Sequence, residues 1–249
     1  MVLFFIFYTM EPNIYKSLES SDNTIKCAGI SEEYRELSPY PTTLFTFQDA
    51  LNYEKNMQPL ANHFYKDVLG AINIKRYDWN DPNGKFMQKL DVDCSIQLET
   101  ESLDVFWLNI SEKFRQVECG DMCLELWSDF EKEKLGWAGG TITTDYYLYT
   151  TPKYFFEVCA NEKFKQLMRK IQTEITREVI SDAFKSKNSY SKIITIDGHE
   201  MTLIKTWTGN SYYGICICIS WTTLFNDYLL DINMYSHGGE KLDINKIYA

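Results

Sequence analysis

Two acidic residues, Asp91 and Asp93, alternate along one short stretch, and a second stretch some twenty residues on carries Ser111, Glu112, Lys113 and Arg115. Asp121 and Glu125 follow. Carboxylates on adjacent strands can hold one or two Mg²⁺ ions through hard oxygen ligands. A lysine at the same edge can orient or deprotonate water and stabilise the charge that builds on a phosphorus centre. Arg115, two positions beyond Lys113, faces the same way on a strand and can clamp a phosphate. The chemistry suited to this set is metal-assisted phosphodiester hydrolysis. Other chemistries lack a pattern: there is no G-x-x-x-x-G-K-S/T loop, no G-x-G-x-x-G, no H-E-x-x-H and no G-x-S-x-G. His63, His199 and His237 lie far apart in sequence and read as structural.

These residues need a hairpin to meet. Leu90 to Leu98 alternates, with Val92, Cys94, Ile96 and Leu98 on one face and Asp91, Asp93, Ser95 and Gln97 on the other. Val105 to Arg115 alternates too: Leu108, Ile110, Glu112 and Phe114 share one face, and Asn109, Ser111, Lys113 and Arg115 the other. The polar link Glu99 to Asp104 is short, so the two runs predict a β-hairpin that sets an acidic face against a basic one. Before it, Phe47 to Leu69 has helical spacing, with Thr46 as N-cap, Gly70 as stop and Pro59 as a kink. After it, Asp121 to Phe130 reads as a helix or helical turn that places Asp121 and Glu125 on one face, and Gly136 to Gly140 as a loop. Tyr146 to Thr150 is a strand and Asn161 to Lys185 helical, its stripe formed by Phe164, Leu167, Met168, Ile171, Ile175, Val179 and Ile180. Short strands follow around Ile193 to Ile196, Met201 to Trp207 and Tyr213 to Trp221, then a helix-like Thr222 to Leu230. The expectation is one α+β domain over 1–249 with a mixed sheet.

Gln88 to Asp93, followed after the hairpin by Ile110-Ser111-Glu112-Lys113-Phe114-Arg115, resembles the core of the PD-(D/E)xK nuclease superfamily. That superfamily presents an Asp on one strand and an E-x-K on the next. The resemblance covers roughly 47–149 and implies a restriction-endonuclease-like fold, a mixed central sheet flanked by helices. The core would span about 47–150, and the helix and strands of 161–235 would complete it. It implies a Mg²⁺- or Mn²⁺-dependent DNA nuclease with Asp93 as central metal ligand, Asp91 as its alternative, Lys113 as catalytic lysine and Arg115 on the phosphate. Lys89 and Lys85 add positive charge beside the hairpin. One departure matters: two positions before the lysine stands Ser111, and Glu112 alternates to the opposite face. The second carboxylate is then Glu125 or Glu112, with Asp121 and the helical Glu54 as further metal-ligand candidates.

Two other readings stay open. The same hairpin could carry cross-strand ion pairs on a solvent face, each contributing roughly 0.2–1 kcal/mol. A nuclease-like fold could also serve, without catalysis, as an interaction or structural module of a phage or mobile element, which Ser111 and the acidic balance favour.

Composition limits the field further. With 249 residues, 45% hydrophobic and 24% charged, the chain is neither disordered nor fibrous. Its 25 Lys plus Arg against 35 Asp plus Glu give a net charge of −10, which excludes a general nucleic-acid coat protein but leaves room for a local basic cleft. Seven scattered cysteines without a CxxC pair predict reduced, buried thiols, no zinc site and a cytoplasmic protein. The apolar opening, Met1 to Tyr8, is too short to span a bilayer and unlike a secretory signal, and reads as a strand or docked segment. The loop-rich stretch from Glu11 to Pro41 follows it. DNA is the expected partner, with a homodimer left open and no membrane. Most of the 17 Tyr, 15 Phe and 6 Trp read as packing, with Trp137, Tyr146 and Tyr147 as candidates to touch a base, and Glu131 to Lys134 reads as a solvated run.

Overall fold

The computed structural model describes residues 47–185, 190–208 and 212–248. The apolar opening, the loop-rich lead-in, Cys27 and the Thr46 cap lie outside the described residues. Helix α1 (Phe47–His63) runs through Pro59 and loosens into a π-helical turn, Phe64–Val68. Gly70 follows at φ +72°, a left-handed turn that glycine adopts without strain. After β1 (Asn73–Arg76) comes α2 (Pro82–Lys89), started by the Asp81 side chain, which accepts from the Gly84 N–H at 2.8 Å. Pro82 at the first helical position loses nothing, because that N–H has no intrahelical acceptor. The predicted hairpin follows as β2 (Cys94–Glu99) and β3 (Val105–Phe114), antiparallel, with Cys94 opposite Ile110.

Beyond the hairpin lie β4 (Asp121–Asp129), β5 (Lys134–Leu135), β6 (Tyr146–Thr150) and β7 (Tyr154–Cys159). The predicted helix over 161–185 is two helices, α3 (Glu162–Glu174) and α4 (Arg177–Ala183). Thr176 caps the second by accepting from the Val179 N–H, and the break shifts the apolar stripe enough to leave Val179 exposed. Then come β8 (Ser191–Ile196), β9 (His199–Thr208), β10 (Tyr212–Ser220), a π-helical turn (Thr223–Asp227), β11 (Ile232–Ser236), β12 (Lys241–Leu242) and the short α5 (Ile244–Ile247).

The class is α+β, as expected, but with two sheets. One is seven-stranded and mixed, in the order β1-β2-β3-β6-β7-β11-β12, its parallel pair being β3 and β6. The other is antiparallel, β5-β4-β10-β9-β8, so most of the C-terminal strands build a second layer and only β11 and β12 extend the first. Alternation on the mixed sheet supplies two cores. Ile96, Ile110, Phe114, Leu148 and Phe155 pack under Ala61, Phe64 and Tyr65 of the α1 segment. Tyr147, Tyr149 and Phe156 point the other way, into a larger core shared with the second sheet and with Phe164, Leu167, Met168 and Ile171 of α3. Trp221 stacks on Phe156 there, rings 3.9 Å apart and 2° from parallel. No helix of the described residues is long and apolar enough to cross a membrane. The six described cysteines are free thiols.

Two local expectations are corrected. Asp121 to Phe130 is strand and not helix: Met122, Leu124 and Leu126 face the large core, while Cys123 on the other side packs with Ile204, Cys216 and Cys218. With apolar residues on both faces, period two is masked in the sequence. The run Leu90 to Asp93 lies outside the strand, because α2 ends there in a turn.

Candidate functional site

β3 runs through the middle of the site and presents a different chemistry on each side. Ser111, Lys113 and Arg115 face the second sheet, and Glu112 faces α1, as the alternation requires. The whole segment 110–115 is buried, which disposes of the solvated-hairpin reading. A buried lysine and arginine need partners, and each finds a separate one.

Lys113 Nζ donates to Asp91 Oδ1 at 2.8 Å, and Ser111 Oγ donates to Asp91 Oδ2 at 2.9 Å. The Lys113 ammonium also lies over the Trp137 ring, 5.0 Å from its centre. Asp91 reaches both because it closes α2: its own N–H donates to Gln88 C=O at 3.1 Å and the Val92 N–H to Met87 C=O at 3.0 Å. This pair of bonds is a Schellman stop. It sets Asp91 at φ +56°, turning its side chain toward β3. The Coulombic pull of Asp91 and Asp93 outweighs burial and raises the Lys113 pKa, so the lysine is held charged. A serine that donates to a carboxylate, beside a charged lysine, is not a Ser-Lys nucleophile, which requires a neutral amine to take the serine proton.

Three further carboxylates feel the charge of Lys113. Asp93 is buried, accepts from the Glu112 backbone N–H at 2.8 Å through Oδ2, and has no hydrogen-bond partner at Oδ1 among the described residues. Desolvation, opposed by Lys113 and reinforced by Asp91 and Glu112, raises its pKa to about 7. Glu125, on β4, is likewise buried with Oε1 unpartnered among the described residues. Burial raises it to about 8 against the pull of Lys113 and a backbone N–H from Trp137. Glu54 of α1 is raised to about 8 by burial and by the like charges of Asp93 and Glu112. Asp93, Glu125 and Glu54 all share Lys113 as a counter-charge.

The remaining candidates sit elsewhere. Glu112 is fully occupied on the α1 side: Arg76 binds it through two nitrogens, at 2.7 and 3.0 Å, and the Tyr65 hydroxyl donates to it at 2.8 Å. Asn62 fixes the same guanidinium at 2.7 and 3.0 Å. Arg115 is buried against Tyr149 OH at 2.7 Å, Cys119 Sγ at 2.9 Å and Asp121 at 3.3 Å. Asp121 therefore neutralises Arg115 and stands apart from Glu125, since four residues of strand span roughly 13 Å where a helix would have brought them to about 6 Å. Lys89 and Lys85 are exposed on α2, Lys85 over the Trp79 ring. Tyr147 is buried in the core, and Trp137, partly buried, packs on it with ring centres 4.9 Å apart.

Arg76 and Tyr65 had no signal in the sequence as partners of Glu112, being separated from it by 36 and 47 positions, nor had Asn62 as the partner of Arg76. α2 did carry one, Asp81-Pro82, which reads equally as a turn and as a helix start. For Glu125, the supporting signal is Gly136: a Cβ there would stand 2.3 Å from Glu125 Cγ and 2.5 Å from Glu125 O. Gly136→Ala is therefore expected to displace Glu125 and to cost about 1–3 kcal/mol, read as a lower urea midpoint at unchanged m-value.

The donors suit a hard divalent cation, because two buried carboxylates, Asp93 and Glu125, each keep an oxygen without a partner among the described residues. Three His, Cys, Asp or Glu side chains are not already gathered as a ligand shell among the described residues. No family model matches the chain, and no match to it was found among curated proteins or solved structures.

Proposed function

We propose that the chain is a divalent-cation-dependent phosphodiesterase acting on nucleic acid, DNA in the first instance, in the restriction-endonuclease-like manner its hairpin resembles. The observation that supports this reading is the burial of Asp93 and Glu125, each with an oxygen unspent among the described residues, together with the half-buried Glu54, all three acting on one charged lysine. Burying two acids and half-burying a third costs stability that a purely structural site would avoid by using apolar residues, and strongly shifted carboxyls cluster at functional sites. Asp93 and Glu125 would hold Mg²⁺ or Mn²⁺, with Glu54 as the further acid. Bound there, the cation would supply Lewis acidity toward a phosphate oxygen. Lys113 would neutralise charge on the phosphate and orient water toward it. Free thiols suit the cytoplasm.

The test is cleavage of plasmid and single-stranded DNA with Mg²⁺ or Mn²⁺. Asp93→Ala and Lys113→Ala are each expected to lower the rate by about 1,000-fold or more. Cleavage unchanged by both, or none by the unmodified protein, rejects the reading.

One observation favours a second reading, a nuclease-like fold kept as a non-catalytic interaction module. The acid next to the lysine, Glu112, is spent on Arg76 and Tyr65. Calorimetry with Mn²⁺ separates the two, because the module predicts no site that depends on Asp93.

A further inference from the structure

A helix stop of the Schellman type places its closing residue in the left-handed region, where glycine is favoured, Asn and Asp are tolerated and most other residues cost about 1–2 kcal/mol. The stop after α2 has Asp91 there, at φ +56°. Its local backbone bonds, to Gln88 and Met87, use only main-chain atoms and would form with glycine equally well. What glycine could not do is reach β3. Both Asp91 oxygens are engaged across the site, one by Lys113 Nζ at 2.8 Å and the other by Ser111 Oγ at 2.9 Å. The lysine side chain is 9% exposed and the aspartate 22%, so this ion pair is shielded from solvent. Among the described residues, Asp91 is the one acid within hydrogen-bonding distance of the Lys113 ammonium.

Position 111 is where the resembling motif carries an acid on the lysine's own strand face, and here it holds a serine whose hydroxyl points at Asp91. We propose that Asp91 is a positioning residue for Lys113: from the α2 stop it reaches across the site to the lysine's strand face, where it fixes and aims the ammonium. The role rests on the phosphodiesterase reading, although the pairing itself does not. Ser111 completes the arrangement by holding the second carboxylate oxygen, so that the plane of the carboxylate is set from both sides. Asp91 thereby becomes distinct from Asp93, whose Oδ2 is turned to the Glu112 backbone N–H and whose other oxygen is buried without a partner among the described residues.

Relocating the charge tests this. Asp91→Asn keeps a side chain that tolerates the left-handed turn but removes the anion. Asp91→Asn combined with Ser111→Asp returns an anion to the same face from the strand. Two readouts are taken on each folded variant: kcat and KM for DNA cleavage, and labelling of the Lys113 amine relative to the other lysines by a small acylating reagent, followed by mass spectrometry. The expected result is a kcat about 100-fold lower in Asp91→Asn with KM little changed, as for a catalytic group misplaced by about an ångström. Labelling of Lys113 should rise at least threefold. The double variant should regain at least tenfold in kcat and return the labelling toward its original level. Asp91→Gly, which relieves the turn, serves if Asp91→Asn does not fold, and should raise labelling in the same way. Unchanged labelling in the single variants overturns the proposal whether or not the protein cleaves DNA. Raised labelling with kcat within about twofold of the original also overturns it. Absence of cleavage by the unmodified protein, together with Asp91-dependent labelling, rejects the phosphodiesterase reading and with it the catalytic role, while upholding the pairing of Asp91 with Lys113.

Discussion

Between pH 6.5 and 8.5 the metal-free protein is expected to lose stability as pH rises, the reverse of ordinary acid denaturation. Glu54 and Glu125 are raised to about 8 and Asp93 to about 7, each chiefly by burial, whereas in the unfolded chain all three titrate near 4. Through this interval the folded state keeps protons that the unfolded state has already released. Stability therefore falls with pH, and the contribution is fully present only below the unfolded values. The loss is on the order of 3–5 kcal/mol, given about 1.4 kcal/mol per pKa unit for each group. His237 acts with the opposite sign, because burial lowers its pKa, but only below about its ordinary value of 6.5. Asp129 and Glu178 have lowered values and matter only in acid. Urea midpoints at pH 6.5, 7.5 and 8.5 read the slope, and Glu125→Gln should flatten it. Mg²⁺ or Mn²⁺ at pH 8.5 should restore stability in proportion to its binding, because a cation held by the ionised carboxylates is bound only in the folded state. A stability that is level or rising across this interval would mean that the three acids are ionised and solvated.

Removing Arg76 is expected to cost about 3–5 kcal/mol, the range for stripping the partner from a buried charge. The Glu112 side chain has no exposure, and after Arg76→Leu it would keep only the Tyr65 hydroxyl as a side-chain oxygen or nitrogen donor, with α1 still packed over it. Asn62, which now holds the guanidinium, would lose its partner in the same step. Arg76→Leu combined with Glu112→Leu should recover most of the loss, because replacing both partners removes the uncompensated charge and adds apolar packing under α1. A double-mutant cycle in urea at pH 7 measures the coupling, and a value under about 1 kcal/mol would show that the pair is dispensable. The effect is on stability, and it separates Glu112, a structural acid beneath α1, from the acids on the Lys113 side.

Much of the local structure followed from the residues themselves. The hairpin, the parting of Ser111, Lys113 and Arg115 from Glu112, the aromatic strand at Tyr146 and the α1 segment all came from periodicity, and the structure has them. β4 did not, because a strand buried on both faces is apolar on both and loses its alternation. Its misreading also placed Asp121 with Glu125, although the first answers Arg115 and the second Lys113. The division of the strands into two sheets was equally hidden, since β4 pairs with β10 across some ninety residues of chain.

The sequence by itself determined which side chains share a face of β3, because a strand has period two and every second residue must point the same way. Only the tertiary structure decided what those faces meet. Lys113 and Arg115 are neighbours on one face yet serve different partners, Asp91 and Asp121. Glu112, adjacent to the lysine in sequence, is sealed beneath a helix by Arg76. Partner choice for a buried charge depends on which elements pack closely enough to replace water around it, and that information lies in the assembly of α1, the α2 stop and β4 around the strand.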